Sequence, residues 1–552
     1  MAASPALKPA LKTGSRPASA KPKLGLRAWM ERVIVECERA AGGFDADAVH
    51  DLRVALRRCR SLADGLIALD PDSSWKNMKK AGKKVFQALG ELRDMQVMQE
   101  WIEKLSDSNL PSDPVCDKLL EHVRRREAEC KRDAFKDLQQ FDRKQWRQWS
   151  RSLPRRAGRV RPGSVVYMHL ALEKWSAAYD LHKHALRSRS EVAWHGLRIG
   201  IKRFRYTVEN FLPRQHELWG DDLKELQDIL GEVHDLDVLW STAVEIKAFP
   251  DVESQRRWRE KLNEERSRRI AKYREKMVGR QSLWRAWRAE LPAGPQLRAA
   301  ALSRLRVWAG YLDPDFSHSQ RVAQLVLLLY DGLKNAGLLM ASAGSMDYSA
   351  SKVASPKSRR SNRILSASSD HAQDWRPILQ VAALMHDVGK ARRSENHHKA
   401  SYRMIRKLAR PLGLSAQELE VAAVVARYHR GALPRPRRQT LQTLELPLRP
   451  IAMELSGILR LANSLDPRNG QNMHEKNSAP RLEVSVQDRV VTLRLSGYSA
   501  LDRSAEEIAA ARHLLETVLR QPILVRTLRT PAAVSKPATR TPGVVTWKEN
   551  IN

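Results

Sequence analysis

The sequence predicts a mainly α-helical chain. A duplicated helical bundle fills the first half, and an all-helical domain follows, with a small β-hairpin and α+β element near its C-terminus. Three observations predict this. Apolar residues recur at helical spacing over most of residues 24–291. One basic element occurs twice, as His50-Asp51-Leu52-Arg53-Val54-Ala55-Leu56-Arg57-Arg58-Cys59-Arg60 and as His195-Gly196-Leu197-Arg198-Ile199-Gly200-Ile201-Lys202-Arg203-Phe204-Arg205. Residues 481–495 alternate apolar and polar around Gln487-Asp488-Arg489, the pattern of a hairpin.

Residues 1–25 hold Ala, Pro, Ser and Lys without an apolar stretch, so a disordered basic tail is expected rather than a signal peptide. The first repeat spans about residues 26–142. At 100° per residue, His50, Arg53, Arg57 and Arg60 share a narrow arc of one helical face, while Leu52, Ala55, Leu56, Cys59, Leu62, Ala63 and Leu66 cover the other. The second repeat, about 163–290, divides the same way, with Leu197, Ile201, Phe204, Val208 and Phe211 on its apolar side. A second element also recurs: Leu89-Gly90-Glu91-Leu92-Arg93-Asp94 before Val97, and Leu230-Gly231-Glu232-Val233-His234-Asp235 before Val238. Between the two elements of the first repeat, Lys76, Lys79, Lys80, Lys83 and Lys84 are spaced as one helical strip; Lys224 is the clearest counterpart in the second.

Residues 143–162, rich in Trp and Arg, are expected to break at Pro154 and to join the repeats. Residues 253–292 are highly charged and read as a long exposed helix leading out of the bundle. A second domain is expected over about 295–530. It opens with a helix near 318–339 and carries a Ser-rich disordered insertion at 341–373. Helices resume at Trp375; the hairpin, a helix over 505–519, a strand near 522–528 and a basic tail at 531–552 complete it.

Lys and Arg number 97 against 63 Asp and Glu, a formal charge of +34. Such an excess concerns partners rather than fold, and points to polyphosphate, nucleic acid or an anionic membrane. A stripe of cations without interleaved acid repels itself, so two in register look aimed at a polyanion, although any one Lys or Arg is better read as a solvated charge. Few stacking aromatics lie among the cations and no nucleic-acid module is evident, which makes nucleic acid the weaker partner. No apolar run reaches the roughly 18 residues of a membrane span. Four cysteines without CxxC spacing suit a reduced cytosol, and a cytoplasmic location is expected.

The paired His-x2-Arg-x3-basic-basic-x-Arg and Leu-Gly-Glu-x2-Asp elements resemble the CHAD domain over about residues 26–290. That resemblance implies an internally duplicated helical bundle whose basic central cavity binds inorganic polyphosphate. Carried over residue by residue, it implicates His50, Arg53, Arg57, Arg58, Arg60, His195, Arg198, Lys202, Arg203 and Arg205, with the Lys76–Lys84 strip and Lys224 beside them. An association with polyphosphate granules is the corresponding expectation.

A second constellation follows. His318, His386-Asp387, His398, His429 and Asp466 stand in the ligand order of HD-superfamily metal phosphohydrolases, which they resemble. A single His on a helix is usually a satisfied polar group; six ligand-type residues in order are harder to dismiss. Imidazole and carboxylate suit Mn, Fe, Zn or Mg, ions that polarise a phosphoryl oxygen and acidify water. The expected core is His318, His386, Asp387 and Asp466, with His398 and His429 available for a second ion. Asp387 and Lys390 are the catalytic candidates, Lys390 as a counter-charge for phosphate.

Phe316-Ser317-His318-Ser319-Gln320-Arg321, His398-Lys399-Ala400-Ser401-Tyr402 and Tyr428-His429-Arg430-Gly431-Ala432-Leu433-Pro434 narrow the resemblance. They are similar to the C-terminal HD-like region of the exopolyphosphatase/guanosine-pentaphosphatase family. That family's active site lies in actin-like domains with no counterpart in this sequence, so its catalysis is not carried over. Lys390-Ala391 also departs from the family pattern. The leading expectation is a polyphosphate-binding protein whose HD-type site is a candidate metal-dependent phosphohydrolase. Alternatives are a non-catalytic granule-associated scaffold and an HD phosphodiesterase acting on a nucleotide.

Overall fold

The computed structural model describes residues 25–43, 46–106, 113–340, 374–466, 481–496, 498 and 504–528. The expected insertion, the C-terminal tail and all but Gly25 of the N-terminal tail lie outside them. The chain divides into two compact units, one running to Trp308 and the other starting at Ala309.

The first unit is helical throughout its described residues. The first repeat comprises α1 (Leu26–Gly43), α2 (Ala46–Leu66), α3 (Ser73–Ala81), α4 (Lys83–Leu105), α5 (Pro114–Gln139) and α6 (Arg143–Ala157). The second comprises α7 (Val165–Ser188), α8 (Glu191–Phe211), α9 (Pro213–Glu245), α10 (Val252–Met277) and α11 (Leu283–Ala289). The division between the units falls within α12 (Gly294–Leu312). Asp72, Asp113, Asp142, Ser190 and Asp251 fix helix starts by accepting from free backbone N–H groups. Packing repeats with the sequence: α1 on α2 and α4 on α5, then α7 on α8 and α9 on α10. The repeats meet through α2 against α8 and α4 against α9. Met98, Trp101, Ile102, Leu236, Leu239, Trp258 and Leu262 form a shared core there.

Three expectations are corrected in this unit. Pro154 does not break its segment, because α6 runs through it and buries Trp146 and Leu153. The Trp146 indole donates to the Met30 carbonyl at 3.0 Å, so α6 is anchored on α1. Tertiary burial outweighs one missing backbone hydrogen bond near a helix end. Nor is α10 an exposed arm: Trp258, Leu262, Tyr273 and Met277 form a thin buried stripe, and Trp284 and Trp287 of α11 are buried too. Finally, the lysine strip is not one helix. Gly82 separates Lys79 and Lys80 at the end of α3 from Lys83 and Lys84 at the start of α4.

All four cysteines, Cys37, Cys59, Cys116 and Cys130, are free, buried and confined to this unit. Burial pushes the Cys37 and Cys116 thiols up to about 12 and raises those of Cys59 and Cys130.

The second unit contains α13 (Phe316–Asn335), α14 (Arg376–Met385), a 3-10 turn (Val388–Ala391), α15 (His397–Arg406), α16 (Ala416–Arg427), the short α17 (Gln439–Gln442) and α18 (Leu448–Leu465). Helices α13, α14, α16 and α18 pack on one another. Strands β1 (Leu482–Gln487) and β2 (Val490–Leu495) form the expected antiparallel hairpin. Its two-residue turn places Asp488 and Arg489 at φ of 50° and 62°, the left-handed pair of a type I′ turn. Helix α19 (Ser504–Leu519) then returns the chain as β3 (Ile523–Thr527), parallel to β2 in a three-stranded sheet of order β1-β2-β3.

Candidate functional site

Because α2 packs on α8, the two repeated stripes come together. Lys202 lies among Arg198, Arg57 and Arg53; burial first, then these like charges, push its amine down to about 8. Arg53 also donates to the Leu89 carbonyl at 3.4 Å, which ties the stripe to the Leu-Gly element on α4. A cavity of about 280 Å³ opens between α8 and α9, lined by Arg198, Lys202, Gln227, Asp228, Gly231, Glu232 and Asp235.

Its lining is not purely basic. Asp235 is pushed up to about 6 by burial, with Asp94 and Glu232 adding to the rise and Arg198 opposing it. Glu232 is paired with Arg269 at 2.8 Å. His195 and His234 approach at 3.3 Å between their Nδ1 atoms. Burial, then Arg198 and His195, push His234 down to about 4.

The carried-over residues therefore divide. Arg53, Arg57, Arg198 and Lys202 converge, with His195 alongside. Arg58 is spent on Glu209 at 2.6 Å. Arg60 donates to the Lys79 carbonyl at 2.8 Å and lies 5.0 Å over the Phe86 ring. Lys79 pairs with Asp64. Arg205 is half-buried, and His50, Arg203, Lys76, Lys80, Lys83, Lys84 and Lys224 are exposed. Acidic and amide members of the lining (Gln227, Asp228, Glu232, Asp235) and His234 went unassigned in the sequence; that Leu-Gly-Glu-x2-Asp repeats alongside the stripe was the available signal.

In the second unit, four imidazoles converge on the buried Asp387. His386 and His318 lie on its Oδ2 side, at 3.4 and 3.9 Å, and His397 and His429 on its Oδ1 side, at 3.1 and 3.7 Å. Two triads result that share Asp387: His318, His386 and Asp387, and Asp387, His397 and His429. In each, one ligand-type atom per residue lies within 4.8 Å of the others. Chain ends supply these groups. His386 and Asp387 terminate α14, His397 opens α15, His429 follows α16, and His318 sits in the first turn of α13, where Asp315 caps the helix.

The rings are oriented from behind. The Nδ1 atoms of His386, His397 and His429 meet the carbonyls three residues earlier, Ala383, Ser394 and Ala426, at 2.6, 3.0 and 2.8 Å. His318 Nδ1 meets Asp466 at 2.6 Å. Each Nε2 is thereby turned toward Asp387, the arrangement that outer partners impose on metal-binding histidines. Ser401 Oγ donates to the His386 carbonyl at 2.7 Å and accepts from Gly389 N at 2.9 Å, stapling the His-Asp turn to α15. A Cβ on Gly389 would meet the His397 carbonyl at 2.2 Å, so only glycine allows this approach.

Burial alone would raise the Asp387 pKa, but His386, His397 and His429 together hold it well below the usual carboxylate range. Burial and then His386 keep His429 neutral. Asp466, for which burial is likewise outweighed by His318 and Arg321, stands at about 2.

Three assignments change. His397, not His398, faces Asp387, because adjacent helical residues point 100° apart. His398 lies instead beside Gly431. Asp466 does not join either triad; Arg321 holds both its oxygens at 2.8 and 2.9 Å, and its remaining contact orients His318. Lys390 is not a free counter-charge, since its amine contacts Asp387 Oδ2 at 2.5 Å.

Two buried atoms bear on whether these residues fit a metal ion. Asp387 Oδ1 and His386 Nε2 are enclosed without a hydrogen bond of good geometry. A buried carboxylate oxygen and imidazole nitrogen left so is costly unless something else takes their lone pairs. The donor set, imidazoles with one shared carboxylate, suits a borderline divalent ion.

Residues 26–244 match the CHAD domain, and residues 308–497 match the Ppx/GppA phosphatase, domain III. No curated protein matches the chain. Among solved structures, the crystal structure of the CHAD domain from the plant Ricinus communis is similar at 20% identity with a TM-score of 0.32, covering 48% of this chain and 88% of that one. Among the described residues no helix is long and apolar enough to cross a membrane. Two separate stretches of the chain thus match two families, residues 26–244 the CHAD domain and residues 308–497 domain III of the Ppx/GppA phosphatases.

Proposed function

We propose that this protein binds inorganic polyphosphate on the face built by α2, α4, α8 and α9, and that its second unit holds a divalent metal ion at Asp387. The observation that carries the binding reading is the convergence of Arg53, Arg57, Arg198 and Lys202 from two copies of one element. Guanidinium groups fork phosphate oxygens, and a linear polyanion offers them in series. A compact monoanion would need fewer cations than the two repeats provide.

Changing Arg53, Arg57, Arg198 and Lys202 together to Glu tests it. Charge-assisted contacts contribute about 1.5–3 kcal/mol each, so affinity should fall at least ~100-fold in a titration with polyphosphate. Wild-type affinity should drop steeply with added salt as counterions are released. Unchanged affinity in the quadruple variant overturns the reading.

For the second unit, the two triads and the unpartnered Asp387 Oδ1 support a metal-dependent phosphohydrolase of HD type. His386, Asp387, His397 and His429 would hold the ion, with His318 beside them. The ion would supply Lewis acidity toward a phosphoryl oxygen. The chain's own groups would bury the site, present their Nε2 atoms and keep Asp387 ionised.

A further inference from the structure

We propose that the second unit carries a phosphate-binding face of its own, in which Lys399 and Arg403 of α15, Arg427 at the end of α16, and Arg430 and Arg438 of the loop that follows hold a polyphosphate chain. The choice of ligand rests on the polyphosphate reading of the first unit. The residues are separate from that face and from the cluster at Asp387.

Helix α15 packs on α16, and the loop after α16 turns back over the start of α15. Gly431 of that loop lies so close to His398 that a Cβ there would stand 2.9 Å from the His398 Nε2. Arg460 fixes the loop by donating to the Tyr428 and Gly431 carbonyls at 3.3 and 2.8 Å. This packing gathers cations. His398 is pushed down to about 4 by burial, then by Arg427, His397, Lys399 and Arg430. Burial disfavours the charge of Arg427, and Arg438 and Arg403 add like-charge repulsion, with Tyr428 and Tyr402 opposing. Lys399, Arg403, Arg430 and Arg438 are exposed, and Arg427 is half-buried.

Little on this face offsets the charge. Glu420 of α16 is engaged by Arg406 at 2.9 Å and by the Thr443 hydroxyl at 2.7 Å. Among the described residues no carboxylate forms an ion pair with any of the five cations. Arg427 Nη1 is buried without a hydrogen bond. A guanidinium set among like charges, with one donor unmet, is costly until an anion meets it, and phosphate oxygens match its fork. A base finds no platform here. Tyr428 is buried with Arg427 over its ring, and Arg406 lies over the half-buried Tyr402 ring, both at 5.3 Å. Bases are held by stacking on open rings, so the face suits a bare phosphate chain better than a nucleotide.

The test titrates tripolyphosphate into the full chain with EDTA present, so that no ion at Asp387 enters the result. The background is the variant with Arg53, Arg57, Arg198 and Lys202 changed to Glu, in which a weaker binding should remain. Adding Arg403→Glu, Arg427→Gln and Arg438→Glu should weaken that remainder at least ~100-fold. The exposed pair Arg403→Glu and Arg438→Glu repeats the test without touching the half-buried Arg427, and circular dichroism shows that the helices are retained. Changing three sheet cations instead, Arg481, Arg494 and Arg526 to Glu, should weaken binding far less. No binding in the background variant overturns the proposal, and so does an equal loss in the sheet variant, which would mean attraction by general charge. ATP bound more tightly than tripolyphosphate overturns the choice of ligand. In wild type, loss of binding on the second-unit changes but not on the first-unit changes would defeat the first unit's reading and leave this one standing.

Discussion

The face on the first unit and the cluster in the second collect ionisable groups in opposite ways. The face is made by repetition: one helix is used twice, its cations stay partly in water, and packing of α2 on α8 sets the copies side by side. The cluster is made by convergence: one histidine from the end of each of α13, α14, α15 and α16 meets Asp387 in a buried pocket, each ring held by one backbone carbonyl or carboxylate. Repetition gives many modest contacts, tolerant of loss and sensitive to salt. Convergence gives few strong ones, where a single atom decides occupancy.

That contrast can be broken most sharply at Asp387. Asp387→Ala removes the carboxylate shared by both triads, and bound Mn²⁺ should fall below detection by elemental analysis, while polyphosphate affinity stays within about twofold. Lost polyphosphate binding would mean that the division of labour is wrong. A smaller effect is expected at Asp466→Asn, which keeps the shape but weakens the hold on His318. Outer partners of this kind are typically worth about 10–100-fold in metal affinity. Because Asp466 acts only through His318, which stands beside the proposed ligands, the loss here should lie at the low end, and a Mn²⁺ titration reads it.

The mildest effect is that of pH on the face. Lys202 gains its proton as pH falls through about 8, and Asp235 becomes neutral as pH falls through about 6. Both changes make the cavity more positive, so polyphosphate affinity should rise as pH drops from 9 to 5. Asp235→Asn should remove the lower step and leave the upper. Affinity flat across that range would show that neither group senses the ligand.

Most of the fold was legible in the sequence because its signals are local. Apolar periodicity marks the helices, and Asp488-Arg489 marks the hairpin between alternating strands. What failed depended on distant partners. Pro154 stays helical because Trp146 is anchored on Met30, and α10 is buried along a stripe too thin to stand out among its charges. The basic stripe was readable because it repeats; the acids that line its cavity were not, since local pattern does not show which face α9 turns toward α8. In the second unit, residue order located the pocket but not its wiring. His397 and His398 are neighbours in sequence, and only the start of α15 decides which one faces Asp387. Arg321 claims Asp466 across 145 positions, and no pattern in either segment reveals that.

The cysteines have a consequence for measuring this protein. All four lie in the first unit, buried, and in the pH range where proteins are handled they are thiols rather than thiolates. A thiolate is the species that alkylating agents attack. Labelling therefore waits for an opening of the bundle, and the second unit contributes no background. The chain carries an intrinsic clock for the breathing of one of its halves, readable by mass spectrometry without introducing a probe.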